Sequence, residues 1–435
     1  MRPSWMPSIG DILFVLILCL FFVFLPNFIL GDGSTGWHIV DGQYILAHGQ
    51  IPQKDLISYT FADKHWVAYE WLFDLVLAIL DKIGGIKMVA VACCSAIALL
   101  FALIYQECRK RGSHFISATF FCVSGALCSS IHWLARPHLV TFFEVFIFTK
   151  YLQDYFDKKI SFRKLAIILS VSMLIWVNSH PAFLMGLVIT GIYLVSDGLI
   201  WFCSADSEKR KESTKRIRDF AVLIAILLAV TFVNPYGLDL YKYIFEYLQQ
   251  SAVWSQNDEF SSPVFHGQLQ VLLLEFMYFA LAIGLVCTQK KPSLARFLTV
   301  LAYAHLSLAS RRNMPLFVIV SLPLITELIA NSRFSVLAST DEKALEPSGF
   351  LQGVKQKWQK LGESIDAMEF TCTRHALPAV AVLVLFISCL SGGKIMGLKL
   401  VNSDFDPHTK PSKTLAWLKE DKLEPNVGMN YDNWG

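Results

Sequence analysis

Charged residues are scarce in this sequence. Of its 435 residues, 17% are Asp, Glu, Lys or Arg and 54% are hydrophobic, whereas about 25% of the residues of a soluble protein are charged. This deficit excludes a water-soluble enzyme, a disordered protein and a coiled coil. The formal net charge of +3 is too small to indicate a nucleic-acid partner. The apolar residues form runs long enough to cross a bilayer, which is typical of a multi-pass membrane protein.

The sequence also lacks the motifs of common metal and cofactor sites. Its ten cysteines include no Cys-x-x-Cys pair and no His/Cys zinc spacing, so neither disulfides nor a thiolate metal site is indicated. No P-loop, Gly-x-Gly-x-x-Gly, His-Glu-x-x-His or Gly-x-Ser-x-Gly motif is present, which leaves ATP-driven and soluble-hydrolase chemistry without support. Internal repeats and inverted halves of the transporter kind are absent too.

Eleven apolar runs are candidate membrane spans. They lie near 12–30, 87–105, 115–133, 139–152, 165–177, 183–202, 220–233, 271–287, 297–308, 316–329 and 377–390. The first run is long for a signal-peptide core and no Ala-x-Ala site follows it, which favours an uncleaved span. We therefore predict an all-α fold, a polytopic transmembrane helical bundle of about eleven spans.

The positions of Lys and Arg predict the orientation of the chain. The stretch 66–84 carries Glu70, Asp74 and Asp81 among apolar residues, a pattern suited to a helix in the membrane interface. If this stretch does not cross, the basic clusters all fall on the cytoplasmic side, and so does the N-terminus. The prediction is a transmembrane module over 1–391, with a first outer loop at 31–85 and a cytoplasmic segment at 331–376. Residues 392–435 are predicted to be the start of a C-terminal segment on the outer side.

Polar residues from outer loops far apart in sequence share one face of the membrane, which predicts a single site there. Asp32 follows the first span between Gly31 and Gly33, and these glycines allow a ligand to approach the backbone closely. A carboxylate in this place can act as a general base. Judged alone, such an acid is more often a solvated loop residue.

Arginines on the outer side run against the positive-inside trend and need a local reason. Arg136, Arg311 and Arg312 could bind a phosphate with bidentate geometry. Alternatively, their side chains could reach the lipid headgroups.

The first outer loop contains D-G-x-T-G-W-H-I-x-x-G-x-x-I-L-x-H-G-x-I-P-x-x-D-x-x-S-Y-T from Asp32, followed by W-V-A-Y-E-W-L at 66–72. These segments resemble the opening of a large group of bacterial multispanning proteins in the GT-C glycosyltransferase superfamily. That superfamily includes protein O-mannosyltransferases and the aminoarabinose transferases of lipid A. Further matches are A-R-P-H at 135–138, W-V-N-S-H at 176–180, N-P-Y-G at 234–237, E-F-S-S-P at 259–263 and R-R-N-M-P-L-F at 311–317.

The resemblance implies a bundle of GT-C type in the bacterial inner (cytoplasmic) membrane, with its active site on the outer face. The partners it implies are a lipid-linked sugar donor, of the polyprenyl-phosphate kind, and membrane lipids. Asp32 matches the catalytic acid of the group by position. The group often has a second acid two residues on, where this chain has Ser34, so a divalent metal held by paired carboxylates is not supported. No metal ligand is assigned and the cofactors stay unknown. Because the group usually continues past Gly435, we expect 392–435 to be the start of a truncated segment.

The resulting hypothesis is an inverting transfer of a hexose or pentose, with Asp32 as general base. The candidate substrate-binding residues are His38, Asp55, Glu70, Arg136, His138, Asn178, His180, Arg311 and Arg312. Several have structural alternatives: His38 as an interfacial packing residue, and Asn178 and His180 as caps of a helix end. Two other functions stay open, a non-enzymatic transporter or flippase of lipid-linked saccharide and a catalytically inactive scaffold.

Overall fold

A computed structural model describes residues 6–56, 64–249, 258–332 and 374–405, with a few positions between 357 and 369. The segment 406–435 and most of 331–376 lie outside the described residues. The predicted outer and cytoplasmic assignments of these two segments therefore remain predictions.

The described residues are mainly helical. The α-helices in chain order are α1 (Ile9–Cys19), α2 (Ser34–His48), α3 (Trp71–Lys110), α4 (Phe115–Ser129), α5 (His138–Phe156), α6 (Phe162–Val177), α7 (Leu184–Cys203), α8 (Ser207–Thr231), α9 (Leu238–Leu248), α10 (Leu269–Cys287), α11 (Leu294–Ala309), α12 (Met314–Ala330) and α13 (Ala376–Leu390). Two short strands, β1 (Lys394–Ile395) and β2 (Leu398–Lys399), pair antiparallel after α13.

Most of the predicted apolar runs lie on these helices, which confirms an all-α membrane protein of several passes. The first run, 12–30, is divided: α1 ends at Cys19, a π-helical segment occupies Leu20–Phe24 and a 3-10 helix occupies Phe28–Leu30. By length and composition, five helical segments could cross a membrane: Trp71–Lys110, Phe115–His132, Pro181–Cys203, Leu269–Cys287 and Arg311–Ala330. Shorter apolar helices occupy Ile9–Phe24, Leu294–Ala309 and Ala376–Leu390. Eleven crossings and a cytoplasmic N-terminus stay predictions.

Helix α3 is broken into two arms. Gly84 has φ −145° and Gly85 has φ +69°, and the second value lies in the left-handed region that favours glycine. The break falls at the end of the stretch 66–84, which the sequence separates from the following span. The N-terminal arm of α3 packs along α2, and these two helices carry much of the candidate site.

Helix α12 lies at the centre of the bundle. In its most apolar window 78% of the residues are buried, against 22% for α10. Helices α3, α4, α5, α10 and α11 surround it. Because α12 is enclosed by protein, the residues that precede it are held firmly.

The basic segment 204–219 lies between two apolar runs, and its charges predict a cytoplasmic loop. In the structure most of this segment is helical. Helix α8 begins at Ser207, and the side chain of Asp206 caps it by accepting hydrogen bonds from the backbone N–H groups of Glu208 and Lys209. Most of this segment therefore forms the first half of α8, and Asp206 is the N-cap of that helix.

Candidate functional site

The A-R-P-H segment lies against the 3-10 helix Phe28–Leu30, which follows α1 in the chain. The backbone N–H of Ala135 donates to the carbonyl oxygen of Ile29 at 2.8 Å, and the hydroxyl of Thr35 donates to the carbonyl oxygen of Ala135 at 3.3 Å. These two bonds bring Arg136 to Asp32, although about a hundred residues separate them in the sequence.

Two hydrogen bonds and an ion pair between described residues hold the Asp32 carboxylate. Its Oδ1 accepts the backbone N–H of Ser34 at 2.7 Å and also the Ser34 hydroxyl. Its Oδ2 lies 3.3 Å from Nη1 of Arg136, and the same Nη1 lies 3.0 Å from Oε1 of Glu259. The Asp32 side chain is 17% exposed. Asp32 is thus a fixed carboxylate rather than a solvated loop acid, and Ser34 orients it.

A cleft of about 120 Å³ opens beside this ion pair. Its lining residues are Ile131, His132, Asp258, Glu259, Arg311 and Arg312. The E-F-S-S-P segment forms one wall, because the backbone N–H of Arg311 donates to Ser261 O at 3.0 Å and the Ser310 hydroxyl donates to Glu259 O at 2.9 Å.

Two arginines of this cleft form no ion pair with a described carboxylate. Among the described residues, no carboxylate lies within 4.0 Å of the Arg311 or Arg312 guanidinium, and Nε of Arg311 is buried without a hydrogen-bond partner. The Arg312 guanidinium stacks on the Phe260 ring, 4.7 Å from its centroid. The cleft therefore presents two cations that can accept a small anion.

A second cluster joins α2 to the N-terminal arm of α3. Nδ1 of His38 lies 2.7 Å from Oδ1 of Asp74. The Glu70 carboxylate lies between two imidazoles, with Oε2 at 3.9 Å from Nδ1 of His38 and Oε1 at 3.9 Å from Nε2 of His180.

Hydrogen bonds around His180 fix its tautomer. The indole N–H of Trp176 donates to Oγ1 of Thr141 at 2.9 Å, and the same Oγ1 lies 2.9 Å from Nδ1 of His180. The backbone N–H of Ala182 is also directed at this Nδ1. Because Nδ1 accepts, the neutral imidazole carries its proton on Nε2, which faces Glu70.

Burial dominates the acid–base properties of this cluster. It raises the pKa of Glu70 to about 7, and the proton-bearing forms of the nearby His38 and Arg136 act in the opposite direction. Burial lowers the pKa of His38, and burial followed by the charge of Arg312 lowers the pKa of His180 well below its usual value. Both imidazoles are therefore neutral at pH 7, where Glu70 is close to half-ionised.

Asn178 and His138 make protein contacts in the described structure. Oδ1 of Asn178 accepts the indole N–H of Trp71 at 3.0 Å, and its Nδ2 donates to Leu174 O and Val233 O. Asn178 thus follows the end of α6 and holds the start of α3, directly beside Glu70. Nε2 of His138 lies 2.8 Å from the carbonyl oxygen of His132, a residue that lines the cleft.

Asp55 follows an isolated antiparallel bridge between Lys54 and His65, and its backbone N–H donates to the carbonyl oxygen of Lys64 at 3.0 Å. It is close enough to Asp41 to contribute to the rise of that carboxyl's pKa to about 7, which is caused first by burial. The hydroxyl of Tyr236 holds this region by donating to Pro52 O at 3.2 Å and accepting the backbone N–H of Ala68 at 2.9 Å. The N-P-Y-G motif therefore supports the first outer loop.

Sequence reasoning did not assign several residues that the structure places in the site. Glu259 was inside a matched motif, and Asp74 lies one helical turn after Glu70, so both had a detectable signal. Ser34 was noted only as a departure from the group, yet it fixes Asp32. Among the described residues, no group of three or more His, Cys, Asp or Glu side chains is arranged to hold a metal ion.

Comparison with known proteins finds similarity in structure only. No protein-family model matches the chain, and no curated protein sequence matches it. The apo structure of the Archaeoglobus fulgidus oligosaccharyltransferase is similar, with a TM-score of 0.55, 12% identity and 96% of this chain covered. The archaeal oligosaccharyltransferase AglB of Archaeoglobus fulgidus, in complex with an inhibitory peptide and a dolichol-phosphate, has a TM-score of 0.57, 12% identity and the same coverage. This chain spans 58% of the length of each. The chain therefore shares the fold of these two archaeal structures over most of its own length.

Proposed function

We propose that this chain is an inverting glycosyltransferase that moves a hexose or pentose from a polyprenyl-phosphate donor to an acceptor hydroxyl on the outer face of the membrane. The observation that carries the proposal is the position of the Asp32–Arg136 pair beside a cleft with two arginines that have no carboxylate partner among the described residues. The dolichol-phosphate bound to the similar archaeal structure supports a lipid-phosphate ligand.

The cleft suits the leaving phosphate. When the bond between the anomeric carbon and the phosphate oxygen breaks, negative charge develops on that oxygen. Arg311 and Arg312 would stabilise this charge, since guanidinium groups bind phosphate with two parallel hydrogen bonds. The guanidinium–Phe260 stacking keeps Arg312 oriented before the donor arrives.

Asp32 suits the binding of the acceptor. An ionised carboxylate accepts hydrogen bonds at both of its oxygens, and Asp32 lies 3.3 Å from Arg136, which also contacts the cleft residue Glu259. In this place Asp32 would accept a hydrogen bond from a hydroxyl of the acceptor and so align the acceptor with the anomeric carbon. A single displacement in this geometry inverts the configuration of the sugar.

The test uses the full chain reconstituted in liposomes. Synthetic polyprenyl-phosphate pentoses and hexoses with labelled sugars are supplied together with a membrane-lipid extract as acceptor. We expect release of polyprenyl phosphate and transfer of label to the extract. If no donor in the panel releases polyprenyl phosphate, the proposal is wrong. Movement of intact donor between leaflets without release would instead identify a flippase, and neither activity would indicate an inactive scaffold.

A further inference from the structure

Glu70 lies where three segments of the candidate site meet. It precedes the N-terminal arm of α3, faces His38 of α2 on one side and faces His180, at the start of α7, on the other. Arg136 and Arg312 are close enough to influence its charge. Glu70 therefore shares the site of the Asp32 ion pair and the cleft, although it is not part of either.

The two carboxylates of this site differ in their open positions. Asp32 accepts two hydrogen bonds from Ser34 and forms an ion pair with Arg136. Glu70 has no hydrogen-bond donor within 3.5 Å among the described residues, and its side chain is 18% exposed. A partly buried carboxylate without donors is poorly stabilised as an anion and gains from taking a proton.

The two flanking imidazoles are too far from the Glu70 carboxylate to form hydrogen bonds with it. Both nitrogen–oxygen distances are 3.9 Å, longer than a hydrogen bond. Nδ1 of His38 lies much closer to Asp74, at 2.7 Å from its Oδ1. The imidazoles thus enclose Glu70 without saturating it, and its oxygens remain available to a substrate hydroxyl or to a bridging water.

We infer that Glu70 is a second catalytic residue of the proposed transfer, the group that accepts the proton of the attacking hydroxyl, while Asp32 positions the acceptor through a different hydroxyl. The inference rests on the proposed function. In the step, the hydroxyl oxygen forms a bond to the anomeric carbon, the carbon–oxygen bond to the lipid phosphate breaks, and the phosphate leaves with the electron pair. The hydroxyl proton passes to the Glu70 carboxylate, directly or through one water, so atoms and charges balance.

A pH profile distinguishes this role. With a pKa of about 7, Glu70 is protonated and inactive at low pH, so kcat/KM should rise tenfold per pH unit up to about pH 7 and then level off. His38 and His180 titrate at lower pH, because burial lowers the pKa of each. The charged or titratable groups that face Glu70 are His38, Tyr69, Asp74, Arg136, His180, Tyr243 and Arg312.

The experiment measures polyprenyl-phosphate release by the reconstituted full chain between pH 5 and pH 9. We expect Glu70→Gln to lower kcat by about a hundred- to ten-thousandfold and to abolish the limb near pH 7. Asp81→Asn is the matched control, since Asp81 is on the same arm of α3 and contacts Gln43 outside the site. It should keep the wild-type rate and profile.

The outcomes separate the two proposals. If wild-type protein releases no polyprenyl phosphate from any donor, the proposed function fails and this inference fails with it. If wild-type protein is active and Glu70→Gln keeps both the rate and the rise of kcat/KM up to about pH 7, only the role of Glu70 is overturned. Should Glu70→Gln not fold, Glu70→Asp replaces it. A shifted limb at a reduced rate then supports the inference, whereas an unmoved limb contradicts it.

Discussion

Asp32 shares Arg136 with Glu259, so removing its charge has two effects. Asp32→Asn weakens the hydrogen bond to the acceptor and removes the charge of one of the two carboxylates beside Nη1 of Arg136. Misplacement of a reacting atom by about 1 Å can cost about a hundredfold, and we expect at least that loss in kcat. Donor affinity should survive, because the cleft arginines lie on another segment. The measurement is polyprenyl-phosphate release at matched expression.

Two comparisons make the Asp32 result specific. Asp239→Asn changes an exposed acid of helix α9, which is predicted to lie on the outer side, and should leave turnover unchanged. Because Glu70 is the inferred proton acceptor, the pH limb near 7 should persist in Asp32→Asn at the reduced rate. Wild-type turnover in Asp32→Asn would remove this residue from the mechanism.

Arg311 and Arg312 are predicted to bind the lipid phosphate. Loss of one charge-assisted bidentate contact should cost about 1.5–3 kcal/mol, or about ten- to a hundredfold in affinity. Lys should restore binding only in part, because it lacks the planar fork. Titration with farnesyl phosphate in nanodiscs measures the effect, and Arg218→Ala, an exposed arginine of α8, is the control. Unchanged affinity in Arg311→Ala/Arg312→Ala would show that both merely contact headgroups.

At the residue level, the sequence indicates which charged side chains lie at unusual positions beside membrane spans, but not which residues they contact. Asp32, Arg136 and Arg312 stand out because a charge beside a membrane span needs a reason. Their arrangement depends on tertiary contacts, such as the backbone bond between Ala135 and Ile29. No period or spacing encodes such a contact, so the pairing of Arg136 with Glu259 was not predictable.

Among the elements, the packing of α2 against α3 controls the position of His38. A Cβ added at Gly42 would lie 2.0 Å from the carbonyl oxygen of Asp74, so Gly42→Ala must push the helices apart. We expect a loss of about 1–3 kcal/mol in stability and lower activity, measured as thermal unfolding in detergent and as turnover. Gly191→Ala is the control, because no heavy atom lies within 4 Å of its added Cβ. Equal melting temperatures for the two variants would contradict this reading of the interface.

Most helices were predictable because the membrane imposes a strong rule on the sequence. A chain in lipid must satisfy its backbone hydrogen bonds internally, so long apolar runs become helices. The break at Gly84 and Gly85 also follows from two adjacent glycines. The helical start of α8 was missed, because its charges resemble those of a loop and its N-cap, Asp206, acts only once the helix exists.

For the whole molecule, the orientation in the membrane is the main prediction still open. The basic start of α8 should be cytoplasmic and the segment before α10 should be outside. In a cysteine-free background, an impermeant maleimide applied to intact cells should label His266→Cys and spare Lys211→Cys, both of which replace exposed residues. Permeabilised cells provide the control, in which both positions react. Labelling of Lys211→Cys from outside would invert the assignment of the active-site face.

The wide sequence spacing of the site residues has a consequence for biosynthesis. Asp32 and Arg136 can pair once the first 136 residues have left the ribosome, whereas Arg312 is synthesised long afterwards. During insertion, the nascent chain can therefore neutralise its loop carboxylate with the first arginine and hold that contact while later helices arrive. Helix α12 is the most enclosed of the central helices, so its entry into the bundle would complete the cleft as one of the last steps of assembly. A ribosome-stalled fragment that ends before Arg311 should therefore be stable but unable to retain lipid phosphate.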